Sequence, residues 1–361
     1  MSPTPHKPVL AAQAALLSIL LVGCSQPPAP TTASPEATGS GQGSVQLTNC
    51  GEEKTYDTPV ERIVATSNSS NVGTLLDVGA VDQIAAMSLN ENNDEVFQQL
   101  YGVDVSAIPR LQSPIPLESI VAKNPDLLIG SYSGLFAGSS GVTPEVANAN
   151  GIPTYVISDS CRQDPTDPGS KLGVMGPWDA VRTDLANYGE LTGHQQQAEE
   201  RIADLNARLD ALDAAPRPEA APKVLLFDSG TDDLYTSGGN GAPQGIIEKA
   251  GGQNIFADQD TTWFHASWES VAQAQPDVIV IMDYRSGNAD EVTTKLDTLR
   301  NQEGLKNLPV IEQNRIIVLP LALFTSGSPN IAAAESLRQQ FDQMGLTPDS
   351  GITGAFGGYG A

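Results

Sequence analysis

The sequence predicts an α/β protein of two Rossmann-like lobes joined by a single long helix, with a ligand cleft between them. The first observation is an internal repeat. Leu117-Glu118-Ser119-Ile120-Val121-Ala122-Lys123-Asn124-Pro125-Asp126-Leu127-Leu128-Ile129 aligns without a gap on Trp268-Glu269-Ser270-Val271-Ala272-Gln273-Ala274-Gln275-Pro276-Asp277-Val278-Ile279-Val280. Each copy reads as a short helix closed by Pro-Asp and followed by an all-apolar run, the pattern of a strand buried on both faces. The second is the alternation of strand and helix patterns around each copy, which favours largely parallel sheets. The third is a long helical pattern between the copies. Paired lobes leave a cleft, so function is sought in the loops that follow the strands.

The first segment, residues 1–23, reads as a signal peptide. After His6 and Lys7 an apolar stretch over 9–22, interrupted only by Gln13 and Ser18, is short for a membrane span and right for a signal-peptide core. It ends in Leu21-Val22-Gly23-Cys24, which resembles the bacterial lipobox. That resemblance implies an acylated Cys24 as the first mature residue, anchored at the outer side of the cell membrane; an ordinary secretory signal with a chance cysteine is the other reading. Residues 24–44, built from Pro, Thr, Ala, Ser, Gly and Gln with one charge at Glu36, cannot bury enough apolar surface to order themselves and read as a tether.

The N-terminal lobe, 45–178, opens with Arg62-Ile63-Val64-Ala65 as a strand, a polar turn over 66–71 and a helix reaching Gly79. Further strands fall at 83–87, 127–129 and 152–157, with the repeat's helix at 117–124. Over 179–214, Val181, Leu185, Tyr188, Ala198, Ile202, Leu205, Leu209 and Leu212 keep helical spacing on both sides of Gly189 and Gly193, so one connecting helix is expected. Pro216, Pro218 and Pro222 end it. The C-terminal lobe, 215–345, has strands at 223–227, 278–282 and 315–319, a loop over 228–236, a helix over 245–250, a polar aromatic segment at 258–268 and a closing helix through Phe341. Residues 346–361 are Gly-rich and read as a frayed tail.

Beyond Cys24, the chain has only Cys50 and Cys161. In an exported protein this pair reads as a disulfide, two free thiols being the alternative. His194 and His265 alone give no histidine and cysteine cluster for a bare metal ion. The 19 basic and 43 acidic residues leave a net charge of −24, which repels nucleic acid and favours a neutral or cationic ligand. No Gly-x-Ser-x-Gly elbow and no phosphate-loop or dinucleotide fingerprint is present, so an enzyme is not expected and no cofactor is called for.

The order of Arg62-Ile63-Val64, Pro125-Asp126, Ile129-Gly130, Gly251-Gly252-Gln253-Asn254-Ile255-Phe256, Pro276-Asp277-Val278-Ile279 and Leu308-Pro309-Val310 to Arg315-Ile316 resembles the substrate-binding lipoproteins of ABC importers for ferric siderophores, haem and cobalamin. The resemblance spans residues 45 to 345. It implies a rigid, monomeric two-lobe protein that delivers an iron chelate, a ferric siderophore first and haem second, to an ABC permease. In that family each lobe presents a glutamate six residues before the Gly of Leu-Gly or Gly-Gly, for docking to permease arginines. Counting back from Gly79 and Gly251 gives Gly73 and Gly245, with Asp77 and Glu248 one turn later as substitutes. The alternative is an envelope-anchored binding or scaffolding protein that is not coupled to a standard permease.

Cleft candidates are residues just after strand ends: Asn68, Ser69, Tyr132, Arg162, Tyr235, Trp263, His265, Trp268, Tyr284, Arg285 and Phe324. Aromatic rings stack on a flat chelate and arginine pairs with its oxygens. The run Trp263-Phe264-His265 to Trp268 is too ring-rich for a polar loop to be read as core. His265 and Tyr235 would also serve as axial ligands to haem iron.

Overall fold

The computed structural model describes residues 43–66, 69–88, 93–137, 141–284 and 290–356, with the side chain of Ser69 outside that set. The expected signal segment, Cys24, nearly all of the tether, Asn68 and Arg285 lie outside the described residues.

An antiparallel hairpin, β1 (Gly43–Asn49) and β2 (Glu52–Thr58), precedes the first lobe's sheet. Its tight turn puts Cys50 and Gly51 at positive φ, and Cys50 is disulfide-bonded to Cys161. The sheet itself is parallel, made of β3 (Ile63–Ala65), β4 (Ile84–Met87), β5 (Leu127–Gly130) and β6 (Thr154–Val156) in the order β4-β3-β5-β6. Helices α1 (Ser69–Asp77), α2 (Asp94–Tyr101), α3 (Leu117–Val121) and α4 (Pro144–Ala149) connect its strands.

Between the lobes come α5 (Pro177–Thr192) and α6 (Gln195–Ala214). The chain enters the second lobe through one long helix, α6, but the pattern expected as a single helix over 179–214 is divided. Gly193 takes a left-handed conformation, φ 79°, that closes α5. The two helices then fold back as a hairpin, with Arg182 Nε donating to Asn206 Oδ1 at 2.7 Å.

The second lobe repeats the first. Strands β7 (Lys223–Phe227), β8 (Leu234–Ser237), β9 (Gln253–Asn254), β10 (Trp263–Ala266), β11 (Val278–Asp283) and β12 (Ile316–Pro320) alternate with α7 (Ala242–Lys249), α8 (Trp268–Ala274), α9 (Glu291–Asn301), α10 (Pro309–Glu312) and α11 (Asn330–Gln343). Its parallel sheet runs β9-β7-β11-β12, the same order as the first, while β8 and β10 pair antiparallel as a separate ribbon.

The duplicated segments hold equivalent places in the two sheets. Asn124 and Gln275, both at positive φ, follow α3 and α8. Next comes Pro, then an aspartate that caps the neighbouring strand. Asp126 accepts the Glu61 and Arg62 backbone N–H groups at 2.7 and 2.9 Å, and Asp277 accepts that of Lys223 at 2.8 Å. Each aspartate thus sets the register of the strand that follows.

The C-terminal edges of the sheets face each other. The start of α1 meets the turn after β12 where Ser70 Oγ donates to Ala322 O at 2.6 Å, and Thr74 Oγ1 accepts the Ser328 N–H at 2.9 Å. Farther out, the loop after β6 reaches the second lobe, with Gln163 Nε2 donating to Asp260 Oδ1 at 3.2 Å. The expected frayed tail is corrected over 346–356. Arg338 donates to Pro348 O at 2.7 Å, Asp342 accepts from Ser350 N–H, and Phe356 is buried. This stretch lies along α11 because the buried Arg338 needs its carbonyls.

Candidate functional site

In a parallel sheet with this strand order, ligands sit outside the carboxyl ends of the strands, where the order reverses. That crevice lies between β3 and β5 in one lobe and between β7 and β11 in the other. β5 runs out into Tyr132 and β6 into Arg162. The Arg162 guanidinium lies over the Tyr132 ring, 3.7 Å from its centroid, and the Tyr132 N–H donates to Ser160 Oγ at 3.2 Å. The disulfide at Cys161 anchors this loop next to Arg162. A guanidinium held over a ring presents a planar fork of donors suited to ligand oxygens.

In the second lobe the pleat of the β8–β10 ribbon sorts the aromatic run into two faces. His265 pairs with Tyr235 across the ribbon, and Trp263 is two residues from His265 on the same face. Tyr235 and Trp263 are stacked, 5.8 Å between centroids, and Tyr235 and His265 are 4.9 Å apart. His265 is exposed and its Nδ1 lies 2.9 Å from Asp233. Phe264, on the other face, packs edge-on against Phe256 at 5.3 Å.

Two expected cleft residues belong to the core instead. Trp268, only 6% exposed, packs edge-on against Phe227 at 5.4 Å while its indole N–H donates to Thr231 O at 2.9 Å. Ser267 caps the start of α8, which turns the Trp268 ring under the sheet. Phe324 is fully buried in the large apolar cluster shared by both lobes. Truncating a ring so placed costs about 3–5 kcal/mol, a structural loss that says nothing about ligand.

Tyr284 follows the end of β11 and has a partner that its place in the sequence does not signal. Its hydroxyl lies 2.8 Å from both oxygens of Asp228, the first residue after β7. Ser229 Oγ also donates to Asp228, at 2.8 Å. Asp228 is 2% exposed, and burial pushes its carboxyl above the ordinary value, against those hydroxyls and the more distant Lys295. Burial, then Asp228, pushes the Tyr235 hydroxyl up to about 12. Lys295 lies 4.4 Å from the Tyr284 ring centroid, but its ammonium is taken by Met282 O at 2.6 Å and Glu291 at 3.0 Å. The available signal for Asp228 was its place, an acid directly after an apolar strand.

The loops carrying these groups touch. Gln163, next to Arg162, reaches Asp260, and a Cβ on Gly173 would lie 3.2 Å from Thr262, next to Trp263. The loop that carries Arg162 therefore lies next to the loop that leads into Trp263. Of Ser69 only the backbone at the start of α1 is described.

The proposed docking positions differ from the count. Gly73 and Gly245 are close-packing sites: a Cβ on Gly73 would lie 2.6 Å from Pro329 Cγ, and one on Gly245 would lie 2.9 Å from both Pro177 Cβ and Trp178 Nε1. Neither backbone position has room for a glutamate, so the glycines are explained by packing. Asp77 faces a cavity of about 350 Å³ between α1, α2, α6 and α11, where Arg201 pairs with it at 3.2 Å. Glu248 is exposed on α7 and accepts from Gln244 Nε2 at 2.6 Å. No helix among the described residues is long and apolar enough to cross a membrane.

Comparison with known proteins follows the same lines. The periplasmic binding protein family model matches residues 64–323. The vitamin B12-binding protein of Yersinia pestis is 28% identical over 233 residues, 63% of this chain and 69% of that protein. A crystal structure from an ABC-type Fe3+-hydroxamate transport system of Saccharomonospora viridis is 26% identical, with a TM-score of 0.69 over 82% of this chain and 98% of that one. The periplasmic heme-binding protein of Roseiflexus sp. RS-1 is 25% identical, with a TM-score of 0.60 over 78% of this chain and 98% of that one.

Proposed function

Because the chain belongs to the periplasmic binding protein family, whose members bind small molecules and dock to ABC permeases, we propose that it captures a ferric siderophore of the hydroxamate type for ABC import. Acylated Cys24 and the tether hold it at the extracytoplasmic face of the cell membrane in this reading. The observation that supports the ligand class is the aromatic ladder of Tyr235, Trp263 and His265 beside the Arg162–Tyr132 pair. Flat rings and a single guanidinium suit a compact, oxygen-rich chelate of low charge. Likeness to the hydroxamate-system structure points the same way. Glu248 is the exposed acid of the two docking candidates, and Gly73 and Gly245 supply no argument for an uncoupled scaffold.

Of the three tryptophans, Trp178 and Trp268 are buried and Trp263 is partly exposed. A ferric trihydroxamate is expected to quench mainly Trp263 fluorescence, and Trp263→Ala to weaken binding about tenfold or more, which is about 1.4 kcal/mol. Unchanged fluorescence and no heat of binding at millimolar chelate would refute the hydroxamate reading. Haem is the second reading, favoured by one geometry: Asp233 holds Nδ1 of His265, which leaves Nε2 for an axial bond. A shifted Soret band on adding hemin, lost in His265→Ala, would establish it in place of the first.

A further inference from the structure

Asp228 is a buried carboxylate that forms no ion pair among the described residues. Its described partners are hydroxyls, those of Tyr284 and Ser229. Among the described residues no lysine, arginine or histidine lies in ion-pair reach of it, and the ammonium of Lys295 is committed to Glu291 and Met282 O. Leaving a charge buried without a partner is strongly unfavourable. Asp228 follows β7 and Tyr284 follows β11, so the carboxylate stands where the strand order reverses and ligands bind. Around it are aromatic rings: Tyr284 on its oxygens, Tyr235 joined to it by the Asp228 N–H to Tyr235 O bond of 3.2 Å, and Trp263 stacked on Tyr235. Ring faces attract cations, most strongly where water is excluded. An anionic ligand edge would meet both this acid and a surface of net charge −24.

We infer that the second lobe's half of the cleft is a cation subsite, in which Asp228 receives a pendant ammonium of the ligand between the rings of Tyr235, Trp263 and Tyr284. The inference rests on the ferric-hydroxamate reading and narrows it to chelates of net neutral or positive charge. Two probes separate the two levels: a ferric trihydroxamate carrying a primary amine, and the same chelate with that amine acetylated.

The wild-type protein is expected to bind the ammonium form at least about tenfold more tightly, about 1.4 kcal/mol. Asp228→Asn, nearly isosteric, should lose that preference yet keep its affinity for the acetylated form, with unchanged far-UV circular dichroism. Asp228→Ser, which removes the charge but leaves a hydroxyl for Tyr284 to bond, should lose the preference in the same way, and it carries the test if Asp228→Asn fails to fold. Equal affinity of the wild type for both chelates, or a preference that survives in a folded Asp228 variant, overturns the subsite alone. Binding of neither chelate overturns the hydroxamate reading and the subsite with it.

Discussion

Two buried acids in the first lobe show how strongly a side chain's surroundings act on it. Asp184, on α5, accepts the Tyr155 hydroxyl at 2.7 Å, the Ser158 hydroxyl at 2.6 Å and the Ser158 N–H. Asp159, just after β6, is buried with its Oδ1 lacking a hydrogen-bond partner. Burial, then the charge of Asp184, pushes the Asp159 carboxyl up to about 8, and burial holds Asp184 at about 6 against its hydrogen bonds. Both values lie above the usual 3.8, so the folded chain binds more protons than the unfolded chain in that interval. Stability contributed by these acids is complete at low pH, falls as pH rises from about 4 to about 8, and is level beyond. Asp159→Asn is expected to remove most of that decline and to be the more stable protein at pH 8.5, by on the order of a few kcal/mol. Urea titrations of both proteins from pH 5 to 9 would check it, and parallel curves would refute it. None of this was legible in the sequence, where Asp159 and Asp184 look like two of many acids.

At the scale of elements, close packing decides what periodicity cannot. The apolar spacing over 179–214 is continuous enough to read as one helix, yet Gly193 ends α5 and α6 returns along it. Gly189 makes the crossing possible, since a Cβ there would lie 2.5 Å from the Ala198 Cβ. In an isolated helix, alanine is better than glycine by about 1 kcal/mol. Gly189→Ala is nevertheless expected to destabilise this protein, because overpacking costs about 1–3 kcal/mol; a raised melting temperature would show that the helices separate freely. The same distinction governs the aromatic run. Pairing with β8 puts Trp263 and His265 on the face of Tyr235 and sends Phe264 to the core. Alternation is visible in the sequence, but which side chains share a face with Tyr235 depends on β8, a partner strand whose own sequence reads as loop.

Across the whole molecule, the two lobes share one apolar cluster and are stitched by the turn after β12, the α5–α6 hairpin and the loop from Cys161 to Gly173. The disulfide spans 111 positions and ties the β1–β2 hairpin to that loop. Replacing both cysteines by serine is expected to lower stability by about 2–5 kcal/mol and to weaken ligand binding through the freed Arg162, as equilibrium denaturation and fluorescence titration would show. Equal stability with and without reductant would refute the structural role. The sequence by itself determined the duplicated lobes and their parallel sheets, and it favoured the disulfide that the structure shows, because repeats and buried strands are written in local pattern. Only tertiary structure decided that Trp268 and Phe324 are core, that residues 346–356 dock on α11, and that Asp228 is buried against the Tyr284 hydroxyl with no ion pair among the described residues. Each of those depends on groups far apart in the chain, whose approach is set by packing rather than by any nearby residue.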